Sequence, residues 1–183
     1  MIHDPALLDK LERLPKMTFD GQIFRATRKN LDPLATSRSG GRWMPVSVAS
    51  VLYTSTQREG ALAEISFHWS QWIPMPSKLA CLHTLRVVTH RTLRLIKADI
   101  TALGVAPKDY QTTNLDLTQQ IGAAVEFLGC DGLLVPSARW PCENLILFPD
   151  SNAFGATLEA VSTEEINWIE WATANGLIVQ PSA

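Results

Sequence analysis

LDLTQQIGAAVEFLGCDGLLVPSARWPCENLILF, residues 115–148, is the stretch whose reading decides the fold class. Leu115 to Leu128 reads as a helix, with Asn114 or Asp116 near its start and Gly129 just past its end. GLLVP (132–136) and NLILF (144–148) follow as two short apolar strands. Elsewhere strands and helices also mix without a regular strand–helix–strand alternation. The expectation is therefore an α+β domain rather than a doubly wound parallel sheet.

Outward from this stretch, Leu79 to Val88 and Thr92 to Ile96 are strand-like and are expected to pair as a hairpin. Thr56 to Ser70 reads as a helix capped by Ser55 or Thr56, and Pro74 and Pro76 close that segment. Val51 to Thr54 and Gly21 to Ala26 are short strands. Between them, RKNLDPLATSRSGGRWMPVSVAS (28–50) is a long polar loop rich in Ser, Gly and Pro, of the kind that often carries function. Leu7, Leu8, Leu11 and Leu14 fall at helical spacing near the start. Ser162 to Asn175 is expected to be a last helix, with Trp168 and Trp171 on one face.

The 183 residues suggest one domain, 1–183. Hydrophobic residues at 46% are enough for a core, and a net charge of −2 gives no overall footprint for nucleic acid. The start is studded with charges and lacks a signal-peptide core, and no run of about 18 apolar residues offers a membrane span. Three cysteines, Cys81, Cys130 and Cys142, show no CxxC spacing, so neither zinc nor a disulfide framework is signalled. These features fit free thiols in the cytoplasm.

Three segments carry candidate chemistry. In SRSGGRW (37–43), Arg38 and Arg42 flank two glycines. Glycines let a backbone approach a ligand, and guanidinium forks match phosphate oxygens, although a Gly-Gly turn with solvated arginines has the same local sequence. In ALAEISF (61–67), Glu64 is the one charged side chain, at the edge of an apolar helical face, where it is either functional or paired on the surface. Ser137 directly follows an apolar strand, which suits projection into a cleft as well as simple turn closure. The four histidines form no HxxxH or HExxH pattern. No GxGxxG or GxxxxGK[ST] marks a Rossmann or P-loop site.

Taken in order, FRA with Arg25, SGGRW with Arg42, LYT with Tyr53, ALAEISF with Glu64, DGLLVPSAR with Ser137 and NLILFP with Asn144 resemble the RES domain, named for its Arg, Glu and Ser. The resemblance runs from about Gln22 to Pro149. It implies a fold similar to that of ADP-ribosyltransferase toxins, with a split β-sheet around an NAD⁺ cleft. It also implies the toxin half of a toxin–antitoxin pair, with an Xre-like antitoxin occluding the cleft. One position departs from the pattern: Met44 stands where the family usually has Asn.

The resemblance implies NAD⁺ as substrate, with cleavage of the nicotinamide–ribose bond by water or phosphate and no metal. Arg25 and Arg42 are then the phosphate anchors. Tyr53 stacks on the nicotinamide or shapes its pocket, and Glu64 binds ribose hydroxyls and steadies the oxocarbenium-like ribose. Ser137 orients Glu64 or the ribose, and Asn144 joins the binding set. The alternatives are a protein ADP-ribosyltransferase with the same cleft, or a non-enzymatic interaction module on a RES scaffold.

Overall fold

Helix α1 (Pro5–Arg13) opens the fold as its sequence suggests: Asp4 caps it by accepting from the Ala6 amide at 2.9 Å, and Leu11 is fully buried. The computed structural model describes residues 3–112, 114–151 and 157–178. After α1 come β1 (Lys16–Arg28), β2 (Leu52–Ser55), α2 (Arg58–Ser70), β3 (Ala80–Arg94) and α3 (Lys97–Ala102). Then follow α4 (Asp116–Phe127), β4 (Gly132–Pro136), β5 (Glu143–Leu147), β6 (Leu158–Ile166) and α5 (Trp168–Ala174). No helix among the described residues is long and apolar enough to cross a membrane.

The strand order is β1-β2-β5-β4-β3-β6, and β1 also pairs with β3. All neighbours are antiparallel except β3 and β4. The split sheet implied by the resemblance is not what forms: the six strands belong to one sheet, which narrows at two seams. A long half (β1, β3, β6) meets a short half (β2, β5, β4) at the single pair Phe24↔Ser55 and at the three pairs from Thr92↔Gly132 to Arg94↔Leu134.

Three sequence expectations give way. The expected hairpin of Leu79–Val88 with Thr92–Ile96 is one continuous strand, β3. Between Thr89 and Thr92, β3 runs one residue longer than β1 does between Phe19 and Met17, which makes a bulge rather than a turn. The buried Asp131 carboxylate accepts the amides of His90 at 2.6 Å and Arg91 at 3.0 Å, so the bulged backbone needs no second strand. Secondly, the expected helix from Ser162 begins only at Trp168, capped by Asn167, because Leu158–Ile166 pairs with β3 as an edge strand. Thirdly, α3 forms where no element was expected.

The long 28–50 loop is anchored by its own apolar residues. Trp43 and Met44 are buried in the main core with Ile121, Val125, Leu133 and Ile146. Truncation of a buried Trp of this kind costs about 3–5 kcal/mol. The fully apolar setting also accounts for Met44: a thioether needs no hydrogen-bond partner there, whereas a buried amide does. α4 approaches the loop closely because its residue 122 is glycine. A side chain there would collide with the Trp43 carbonyl.

Candidate functional site

The placement of Glu64 begins with the seating of α2. The expected caps are engaged elsewhere: Thr56 Oγ1 donates to the Glu143 carbonyl at 2.9 Å, and Ser55 Oγ lies 3.3 Å from Cys142 Sγ. Gln57 stands at the N-cap without a side-chain capping bond. Gly60, in the first turn, rests on Ser55 and Cys142, and a Cβ at that position would strike both. This close approach brings Glu64, one turn further on, onto the β4–β5 hairpin.

Glu64 Oε1 accepts from Ser137 Oγ at 3.1 Å and from Asn144 Nδ2 at 2.8 Å. Ser137 Oγ itself accepts from the amides of Arg139 at 3.1 Å and Trp140 at 3.3 Å, so its proton is directed at the carboxylate. Hydrogen bonds to an ionised group contribute about 1.5–3 kcal/mol each. Both donors go to Oε1, and among the described residues nothing hydrogen-bonds Oε2. Asn144 Oδ1 is buried and has no hydrogen-bond partner among the described residues.

Arg42 is set by the turn before it in the chain. Gly41 and Met44 bridge each other, and the Trp43 amide donates to Tyr53 Oη at 3.2 Å. Gln119 of α4 donates to the Gly41 carbonyl at 2.9 Å. Residue 41 must be glycine because the Tyr53 phenol fills the place of a Cβ. The Arg42 guanidinium lies 5.4 Å from the centre of the Tyr110 ring and donates from Nη2 to the Thr112 carbonyl at 3.1 Å, while Nη1 is buried with no hydrogen-bond partner among the described residues. Burial pushes the Tyr53 phenol up to about 12, with the nearby Arg42 lowering it and Glu64 raising it by smaller amounts.

The structure thus brings Arg42, Tyr53, Glu64, Ser137 and Asn144 together. Arg25 is placed apart. It shares the Ile23 side of β1, whereas α2 packs on the Phe24 and Ala26 side. Arg25 Nη1 donates to the Pro33 carbonyl at 2.6 Å, and its electrostatic neighbours are Asp32 and His83. Two residues beside Glu64 were passed over in the sequence, Tyr110 and Arg139. Arg139 follows Ser137 by two positions within VPSAR, which was the available signal; Tyr110 lies in a polar loop that offers none. Among the described residues no group of three or more His, Cys, Asp or Glu is arranged to hold a metal ion.

A carboxylate clamped on one oxygen lies beside an arginine and an amide with buried polar atoms that have no partner among the described residues, and together they form the candidate site of this α+β domain. The RES domain family model matches residues 21–169, and the chain belongs to that family. The fold is similar to a chain in the crystal structure of the M. tuberculosis MbcT–MbcA toxin–antitoxin complex. That match has a TM-score of 0.76 at 18% identity and covers 94% of this chain and 98% of the other. Comparison with curated protein sequences gives no match.

Proposed function

We propose that this chain is a toxin that destroys NAD⁺ by breaking its nicotinamide–ribose bond. The observation that carries the reading is the Glu64 carboxylate, fixed on Oε1 by Ser137 and Asn144 and with no hydrogen bond to Oε2 among the described residues. As nicotinamide departs with the bonding electrons, positive charge grows at the anomeric carbon and ring oxygen. A fixed carboxylate whose dipoles are already aligned stabilises that charge without reorganising. The Asn144 amide oxygen can accept from a ribose hydroxyl or from the nicotinamide carboxamide. Arg42 contributes its unpartnered Nη1 to a phosphate oxygen. Water or phosphate then attacks the ribose to give ADP-ribose or its phosphate.

Tyr53 is assigned a narrower part than stacking on nicotinamide. Its hydroxyl accepts from the Trp43 amide and holds the Arg42 turn in register. The family membership and the likeness to a toxin–antitoxin component support a second protein that covers this site, an Xre-like antitoxin in the proposal. The test is incubation of the purified protein with NAD⁺ labelled in the adenine. Release of free ADP-ribose or its phosphate is expected. Label transferred to protein would replace hydrolysis with ADP-ribosylation, and intact NAD⁺ with folded protein would reject the reading.

A further inference from the structure

Arg139 is built into the site in the same way as Arg42. Its guanidinium carbon lies 3.4 Å from the centre of the Phe67 ring, and Phe67 is one turn beyond Glu64 on α2. Arg139 Nη1 donates to the Gln111 carbonyl at 3.2 Å, while Arg42 Nη2 donates to the next carbonyl in the chain, Thr112, at 3.1 Å. Each guanidinium also lies on an aromatic ring, Arg139 on Phe67 and Arg42 on Tyr110. The Tyr110 hydroxyl donates to the Pro136 carbonyl at 2.5 Å, which pins this loop across the end of β4, one residue before Ser137. Residues 110–112 therefore form a shelf on which two arginines from distant parts of the chain are held as neighbours.

Two cations held side by side repel each other, and among the described residues neither guanidinium forms an ion pair with a carboxylate. Burial and the nearby Arg42 disfavour the charge on Arg139, Glu64 favours it, and the Glu64 carboxylate is already engaged by Ser137 and Asn144. The neutral carbonyls of Gln111 and Thr112 take one N–H from each fork and cancel no charge. An anion with two adjacent negative groups would complete the arrangement, and a diphosphate carries its charges at that spacing.

We propose that Arg139, together with Arg42, forms the clamp for the diphosphate of the dinucleotide. The assignment rests on the NAD⁺ reading and moves the second phosphate anchor from Arg25 to Arg139. Guanidinium forks reach two oxygens of one phosphate, and aromatic rings beneath them limit the entropy lost on binding.

The experiment is calorimetric titration of ADP-ribose into wild type, Arg139→Gln and Arg139→Lys, with melting curves of each unliganded protein and NAD⁺ turnover of wild type measured in parallel. Arg139→Gln is expected to weaken ADP-ribose binding about 10–100-fold, the range set by losing a charge-assisted pair. KM for NAD⁺ should rise far more than kcat falls, whereas loss of general structure would move both. Wild-type affinity in folded Arg139→Gln overturns the clamp and leaves the NAD⁺ reading standing. Should Arg139→Gln fail to fold, Arg139→Lys carries the test: about tenfold weaker binding supports the fork, and equal affinity overturns it. Wild type that binds ADP-ribose but leaves NAD⁺ intact rejects NAD⁺ cleavage and keeps the clamp. Wild type that binds no ADP-ribose overturns the clamp.

Discussion

The polar clusters around His83 and around Glu64 differ in completeness. Around His83, every ring nitrogen is spoken for. Nε2 lies 2.8 Å from Thr27 Oγ1, and Nδ1 lies 2.7 Å from Thr163 Oγ1. Thr27 Oγ1 also lies 3.0 Å from the Arg28 carbonyl, which can take its proton when Nε2 is the donor. This network ties β1, β3 and β6 together and has no capacity left over. Around Glu64, Asn144 Oδ1 and Arg42 Nη1 are buried without hydrogen-bond partners among the described residues. Buried polar groups are nearly always satisfied, so a satisfied cluster reads as structure and an unfinished one as a binding site.

The strongest test of this contrast is Glu64→Gln. The amide keeps the shape and loses the charge facing the developing cation, so turnover should fall about 10²–10³-fold in a steady-state NAD⁺ assay while the melting temperature stays near wild type. Normal turnover in that variant would demote Glu64 to a structural partner of Ser137 and Asn144.

Ser137→Ala removes one of the two donors that fix Glu64 and leaves the Arg139 and Trp140 amides without their acceptor. Turnover is expected to fall about 10–100-fold, since each such bond to an ionised group contributes about 1.5–3 kcal/mol. Arg42→Lys retains the charge but not the planar fork, and about a tenfold rise in KM with little change in kcat is expected. An unchanged KM would remove Arg42 from phosphate binding.

His83 gives the smallest effect, and it should appear in stability rather than in catalysis. Burial, helped by the nearby Arg25 and opposed by Asp32, holds its imidazole below the usual value. The unfolded chain takes up this proton near pH 6.5, while the folded protein resists until lower pH. Stability from this group is therefore complete above about pH 6.5 and declines as the pH falls toward the folded value. Melting curves from pH 7.5 to 5 should show this acid-side loss in wild type and a flatter slope in His83→Gln, with turnover at pH 7.5 retained. A marked loss of turnover in His83→Gln would join the two clusters and break the comparison.

Much of the local structure was legible in the sequence. Helical spacing marked α1, α2 and α4, and short apolar runs marked β2, β4 and β5, because these signals lie within a few residues of one another. Glu64 stood out as a lone charge beside an apolar helical face, and SGGRW and VPSAR as segments suited to a site. The family resemblance assembled them into a candidate set.

The partnerships came only from tertiary packing. Glu64 meets Ser137 and Asn144 across 73 and 80 residues, through Gly60 resting on Ser55 and Cys142. Arg42 and Arg139 become neighbours through the 110–112 shelf, which has no periodicity to read. Asp131 turns an expected hairpin into a bulged strand, and pairing with β3 turns an expected helical start into β6. The resemblance gave Arg25 the same role as Arg42, yet strand alternation sends it to the other side of β1, beside Asp32 and His83. Local propensity operates over one or two turns of chain. Which buried polar atoms find partners is decided by contacts between segments far apart in sequence, and the unfinished set at Glu64 could be seen only once those segments were packed together.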